Sequence, residues 1–213
     1  MDAGDWTQAE ESIQSGLRVA RELGDLPGEA SLVGTLGTVA ASSGNYEQAL
    51  IQLQEADRMY ELQGNTEQRH NCRVNMCISL EQLNRLDEAL AMVDELKGEP
   101  ELVPMTKHFV TLVEMKLHIR RNDWHAALAL SDDLLVKLEA LQAWDRTISV
   151  HAYNAICAAA LGDDPAPHFN KADALMKRLN LADGSQEGAT IAEAMDRVAE
   201  LQRAPSQGGG SPA

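Results

Sequence analysis

The 213-residue chain holds six histidines, three cysteines and 33 carboxylates, and their spacing decides what chemistry they could do. A hydrolytic metal site needs imidazoles one helical turn apart, as in HExxH. His118 and His125 instead straddle a predicted corner, and the other histidines lie far apart in sequence. Nucleophilic or phosphate chemistry needs a GxSxG elbow, a Walker loop or a GxGxxG turn. None occurs: GTLG at 34–37 falls inside a predicted helix, and GGGS sits in the C-terminal tail. Cys72, Cys77 and Cys157 have no CxxC spacing and an odd count, which suits buried thiols in a reducing compartment. Carboxylate pairs such as Asp132–Asp133 and Glu10–Glu11 fit solvated helix surfaces. The expectation is a protein that is no enzyme and carries no metal or cofactor.

Bulk composition narrows the partners. A formal charge of −15 works against a nucleic-acid backbone or an anionic leaflet, since both are held by lysine and arginine surfaces. No apolar run approaches the roughly 18 residues of a membrane span, and no leader pattern opens the chain. Cytoplasmic placement is therefore expected. With only two Phe, three Tyr and three Trp, the core must be built from Leu, Ala, Val, Ile and Met, which suits helices. The fold class expected is all-α.

The elements that would position any site announce themselves by repetition. GDWTQA at 4–9 returns as GNYEQAL at 44–50, NRLDEAL at 84–90, NDWHAAL at 122–128 and GDDPAP at 162–167, in steps of 40, 40, 38 and 40 residues. Such a period marks stacked helical hairpins. Each copy reads as a corner: Gly44, or Asn84 and Asn122, ends one helix in the left-handed conformation, and the next residue caps the following helix. Asn45 with Gln48, and Asp5 with Gln8, read as capping boxes. Trp6, Tyr46, Leu86 and Trp124 share the phase that plugs the corner, while Ala9, Ala49, Ala89 and Ala127 let helices cross closely. A second position precedes each corner by seven residues, at Gly37, Cys77, Met115 and Ala155; three of the four are small, so Cys77 reads as a core spacer. Gly24 and Gly64 mark the alternate corners, after which Asp25 and Pro27 restart a helix.

The resulting expectation is one helical domain over 1–203. A lone helix at 6–22 precedes pairs at 28–42 with 46–62, 67–82 with 86–97, 103–120 with 124–141, and 146–161 with 166–179. A capping helix at 187–202 follows, with Ser185 as N-cap and Ile191, Met195, Val198 and Leu201 on one stripe. KGEPELVP at 97–104 is a loop, and 204–213 should be disordered. The apolar face of residues 13, 17 and 20 has no helix before it, so an upstream segment or self-association through this N-terminal helix should cover it.

These residues resemble the tetratricopeptide repeats. Against that family's pattern the best copy offers Val33, Leu36, Gly37, Ala40, Ala49, Leu53 and Ala56, and the likeness covers about 4–180; in the third pair Glu114 falls on a core phase. The 40-residue period looks like the longer variety of LGN-type adaptors, kinesin light chains and MalT-like bacterial sensor regions. The resemblance implies a right-handed superhelical solenoid of antiparallel helix pairs, whose first helices line a concave face. Those first helices, taken as 28–43, 67–83, 102–121 and 144–161, carry seven bases and five acids (+2), whereas the rest carries 11 bases and 28 acids (−17). The implied concave face would favour a peptide that is acidic or has a free carboxylate. Asn75 falls where the family places an asparagine that holds an extended peptide backbone, an amide being both donor and acceptor. Thr35, Thr38, Asn71, Lys116, Arg120 and Tyr153 would share its surface. The function expected is a protein-interaction module, with a ligand-sensing C-terminal region of a larger bacterial regulator as the alternative.

Overall fold

The computed structural model describes residues 3–182 and 184–203. The tail at 204–213, for which disorder is expected, lies outside the described residues. Ten helices and no strand occur among them. Contacts divide the chain into two compact units, Met1–Val113 and Glu114–Ala213, each described here by itself. The sequence pattern, read as a single domain, shows no break at the 113/114 boundary, which falls inside a helix.

Unit 1 contains α1 (Ala3–Leu23), α2 (Leu26–Ser42), α3 (Tyr46–Leu62), α4 (Thr66–Gln82), α5 (Leu86–Gly98) and the first part of α6 (Pro104–Arg120). The corners follow one scheme. Gly24, Gly44, Gly64 and Asn84 all have positive φ, and the next residue's N–H reaches back five positions, as in Asn45 N to Ala40 O at 2.8 Å and Arg85 N to Leu80 O at 2.9 Å. This Schellman closure satisfies carbonyls that the helix end would leave bare. The chain must then reverse, so consecutive helices pack: α1 on α2, α2 on α3, α3 on α4 and α4 on α5. Ala49, Leu53, Ala56, Ala89 and Leu96 are buried in that core. Gly37 is the closest crossing, since a Cβ there would stand 2.7 Å from Leu53 Cγ and 3.2 Å from Leu53 N.

Several local expectations are corrected in unit 1. Asn45 makes no capping bond to α3; its Nδ2 donates instead to Ser43 Oγ at 3.1 Å. The alternate corners do cap, with Asp25 Oδ1 accepting from Gly28 N at 3.0 Å. Asp5 lies inside α1, which starts at Ala3, and so cannot be its N-cap. Of the N-terminal apolar face, α1 buries Leu17 and Ala20 by packing on α2 and leaves Ile13 half-buried. Val19 and Leu23 of α1 are exposed.

Unit 2 contains the end of α6, then α7 (Trp124–Ala140), α8 (Trp144–Leu161), α9 (Ala166–Leu179) and α10 (Gln186–Arg203). Its corners use Asn122, Gln142, Gly162 and Asn180, all at positive φ. Helix α8 is central, packing on α7, α9 and α10. Ile148 of α8 meets Ala172 and Met176 of α9, and Ile191 of α10 joins that cluster. Arg178 lies 4.0 Å from the ring centroid of Trp144, a cation over an aromatic face at the open end of the α8–α9 hairpin. Glu114, on its core phase, is indeed buried.

Helix α10 starts as expected, with Ser185 Oγ accepting from Gly188 N at 3.1 Å. Its stripe is rotated from the one expected. Ala194 and Val198 are buried, whereas Met195 is 54% exposed. The reason is spacing: Ile191, Ala194 and Val198 follow a three-then-four step down one face, and a 191–195–198 choice is drawn toward the bulkier methionine.

Candidate functional site

Two first-helix faces carry the polar residues singled out in the sequence. In unit 1, Thr38 of α2 and Asn75 of α4 line one open cavity of about 300 Å³ with Ala41, Ser42, Tyr46, Ile78 and Gln82. Helices α2 and α4 touch directly, which brings these side chains together. Asn75 is half-buried and Thr38 is exposed, its Oγ1 donating to Gly34 O at 3.1 Å. Thr35 and Asn71, one turn nearer the helix starts, are exposed and lie outside the cavity. Thr35 donates to Ser31 O at 2.8 Å. The cavity wall bears hydroxyls and amides and no ionisable carboxylate or cation.

Two of the cations counted on the first helices of unit 1, Arg69 and Arg73, are engaged by acids of neighbouring helices. Arg73 Nε lies 3.2 Å from Asp57 and its Nη1 3.7 Å from Glu99. Arg69 Nη2 lies 2.9 Å from Glu61. These pairs tie α4 to α3 and the end of α5, so Arg69 and Arg73 serve helix-to-helix contacts.

Unit 2 differs. Lys116 and Arg120 of α6 and Tyr153 of α8 line a cavity of about 620 Å³ together with Ile119, Ile156 and six residues of α10, among them Glu193, Asp196, Arg197 and Glu200. The three residues foreseen here are thus brought together, but under a helix expected to be a terminal lid. Arg197 fixes α10 to the α6–α7 corner: its Nη2 donates to Asn122 Oδ1 at 3.2 Å, and its Nη1 meets Glu200 at 3.0 Å. Asn122 therefore turns the backbone through positive φ and receives α10 with its side chain.

The three cysteine thiols and the imidazole of His151 are buried. Burial pushes the thiols of Cys72, Cys77 and Cys157 up to about 12, with Asp57 adding to the effect at Cys72. At neutral pH such thiols are not nucleophiles. Cys77 sits where the core spacer was expected, 1% exposed, its Sγ 3.8 Å from Ala89 O. His151 and His168 have ring centroids 6.2 Å apart, and burial, then Lys171 and His168, holds His151 down at about 4. Among the described residues no group of three or more His, Cys, Asp or Glu could hold a metal ion, and no helix is long and apolar enough to cross a membrane.

No protein-family model and no curated protein matches the chain. Among solved structures it is similar to BtubC (BKLC) from P. vanneervenii, with a TM-score of 0.65 at 14% identity, covering 100% of this chain and 96% of that chain. The chain is a helical repeat protein.

Sequence reasoning missed several wall residues of this repeat protein. Tyr46 was assigned to plugging a corner, yet as the first residue of α3 it also borders the unit 1 cavity. Gln82 lies seven residues beyond Asn75 and shares its face by helical periodicity, so that signal was present. The α10 residues had no such signal, because nothing local to 187–202 says which face of the preceding helices it will cover.

Proposed function

We propose that this protein is a non-catalytic interaction module, built of tetratricopeptide-like hairpins of about 40 residues stacked in the right-handed sense, that holds a partner segment on its first-helix faces. The observation that carries the reading is the setting of Asn75. It stands half-buried in an open cavity between α2 and α4, beside Thr38, Ser42, Tyr46 and Gln82. Amides and hydroxyls in such a trough supply donors and acceptors to an extended peptide whose own backbone groups lack partners. The likeness to BtubC (BKLC) supports the hairpin architecture. The overall charge of −15 supports a protein partner over nucleic acid or an anionic membrane.

The test uses peptides selected for binding from a random library. Asn75→Ala combined with Gln82→Ala should weaken the selected peptides by about tenfold or more, which corresponds to about 1.4 kcal/mol, while the melting temperature stays within a degree or two. Undiminished binding by this double variant would reject the assignment.

A second reading, a ligand-sensing region of a larger regulator, has one observation in its favour. The unit 2 cavity, at about 620 Å³ with charges of both signs, falls in the size range of small-molecule sites. A small ligand that raises the melting temperature through Lys116 and Tyr153, and not through Asn75, would favour it.

A further inference from the structure

The open cavity of unit 2 is built from three helical stripes. Lys116 and Arg120 of α6, Tyr153 and Ile156 of α8, and Glu193, Arg197 and Glu200 of α10 lie three or four positions apart along their helices, so each helix turns one face to the same space of about 620 Å³. The lining sorts by character. Ile119, Ile156 and Ala194 are buried, at 6%, 5% and 1% exposure, and form an apolar floor. Lys116 and Tyr153 are half-buried beside it, while Arg120, Glu193, Asp196 and Glu200 are exposed at the rim.

The sign of charge differs from wall to wall. The charged residues of the α6 side are the cations Lys116 and Arg120, and those of the α10 side include the carboxylates Glu193, Asp196 and Glu200. Arg197 is engaged by Glu200 at 3.0 Å and donates to Asn122 Oδ1 at 3.2 Å, so Glu193 and Asp196 set the sign of the α10 wall. A ligand matched to this lining carries an apolar body, an anionic group for one wall and a cationic group for the other. Neither a nucleotide, whose phosphates would meet Glu193 and Asp196, nor a polyamine, which would meet Lys116 and Arg120, answers both walls. An apolar α-amino acid does.

We propose that this cavity binds a free α-amino acid with a large apolar side chain: its carboxylate is held by Lys116 and Arg120, its ammonium by Glu193 and Asp196, and its side chain rests on Ile119, Ile156 and the Tyr153 ring. The proposal rests on the ligand-sensing reading of unit 2 and names the class of ligand. Preference for bulk follows from the space, since about 620 Å³ admits leucine, phenylalanine or tryptophan, whereas glycine would leave the apolar floor wet.

The experiment titrates the full chain with L-leucine, L-phenylalanine and L-tryptophan by calorimetry and by melting-temperature shift, with glycine as the control. At least one of the three should bind about tenfold or more tightly than glycine. Its N-acetyl and carboxamide forms, each lacking one charge, should bind about tenfold or more weakly than the free acid. Lys116→Gln with Arg120→Gln should bring acid and carboxamide to parity while N-acetylation still weakens binding, and Glu193→Gln with Asp196→Asn should do the converse. Loosening of the fold would not produce such a crossed loss. Should the first pair fail to fold, Arg120→Gln alone, at an exposed position, must narrow the gap between acid and carboxamide. No binding by any of the three, blocked forms that bind as well as the free acid, or substitutions that do not separate the two discriminations overturns the proposal. If the amino acids fail but another small molecule raises the melting temperature through Lys116 and Tyr153, the ligand-sensing reading stands and this ligand class falls. Asn75 and Gln82 are untouched throughout, so the unit 1 reading is tested separately.

Discussion

Asn75 in unit 1 and Lys116 in unit 2 stand on equivalent first helices, yet they look into different surroundings. Asn75 borders an open trough of amides and hydroxyls, while Lys116 borders a cavity walled on one side by the acids of the chain's own α10. The arginines explain the contrast. In unit 1, Arg69 and Arg73 turn away to Asp57, Glu61 and Glu99 and act as struts between helices. In unit 2, Lys116 and Arg120 remain at the cavity. A charge tally over a segment therefore does not say which face the charge occupies. Charged side chains line the unit 2 cavity, and uncharged ones line that of unit 1.

The largest expected effect separates the two units by pH. His151 is buried in unit 2 and held at about 4 by burial, with Lys171 and His168 adding to the depression. An imidazole kept neutral in the folded state but free to protonate near 6.5 when unfolded makes the unfolded chain bind more protons between those values. Stability from this group is full above about 6.5 and is lost as pH falls toward about 4, at roughly 1.4 kcal/mol per pH unit and about 3 kcal/mol in all. His168, shifted down by burial and Lys171, acts in the same direction. Urea unfolding followed by tryptophan fluorescence reports chiefly on unit 2, which holds Trp124 and Trp144. The midpoint should fall between pH 7 and pH 4.5, and His151→Leu should flatten that slope. Parallel slopes in the two proteins would remove the acid-sensitive distinction between the units.

An intermediate effect tests how the open face is supported. At the small position seven residues before the corner, unit 1 has Gly37 and unit 2 has Ala155, both buried. Helix propensity alone would have Gly37→Ala gain about 1 kcal/mol. The new Cβ, however, would stand 2.7 Å from Leu53 Cγ, with the α3 backbone only 3.2 Å away, so α2 must move off α3. Overpacking of this kind costs about 1–3 kcal/mol, and the net outcome should be destabilisation by up to about 2 kcal/mol in chemical denaturation. Because α2 carries Thr38, peptide binding in unit 1 should weaken with it, and binding to the unit 2 face should not. A stabilised Gly37→Ala protein would show that the crossing is looser than its geometry indicates.

What was legible in the sequence follows from what is local. Corners are local: a Gly or Asn after an apolar-periodic run marks a left-handed residue, and Gly24, Gly44, Gly64, Asn84, Asn122 and Gly162 all have positive φ. The small-residue crossings at Ala49, Ala89 and Ala127 are local too, and all are fully buried. Which residues line a cavity was legible only where one helical face decides it, as for Thr38, Asn75, Lys116, Arg120 and Tyr153. It failed where tertiary placement decides it. Thr35 and Asn71 share the right face but lie beyond the cavity's reach, the arginines of α4 find partners on α3 and α5, and α10 covers a face that no pattern within it specifies.

The smallest effect concerns a corner that composition conceals. Gln142 has φ of 55° in the turn between α7 and α8, where unit 1 uses glycine at three of its four corners. A left-handed residue with a Cβ costs roughly 1–2 kcal/mol, and glycine's greater freedom in the unfolded chain returns about 0.5–1 kcal/mol of that. Gln142→Gly should therefore stabilise by about 0.5–1 kcal/mol, raising the melting temperature by about 2 °C for a chain of this size. The reciprocal change is Gly44→Gln, at φ of 84° with nothing within 4 Å of a new Cβ, so only the backbone term operates there. It should lose a similar amount, and mirror-image shifts would show that the two units share one corner chemistry and differ only in what covers their faces. If Gln142→Gly instead destabilises, the glutamine side chain holds the α7–α8 turn by contacts, and the corners of unit 2 are built on a different principle from those of unit 1.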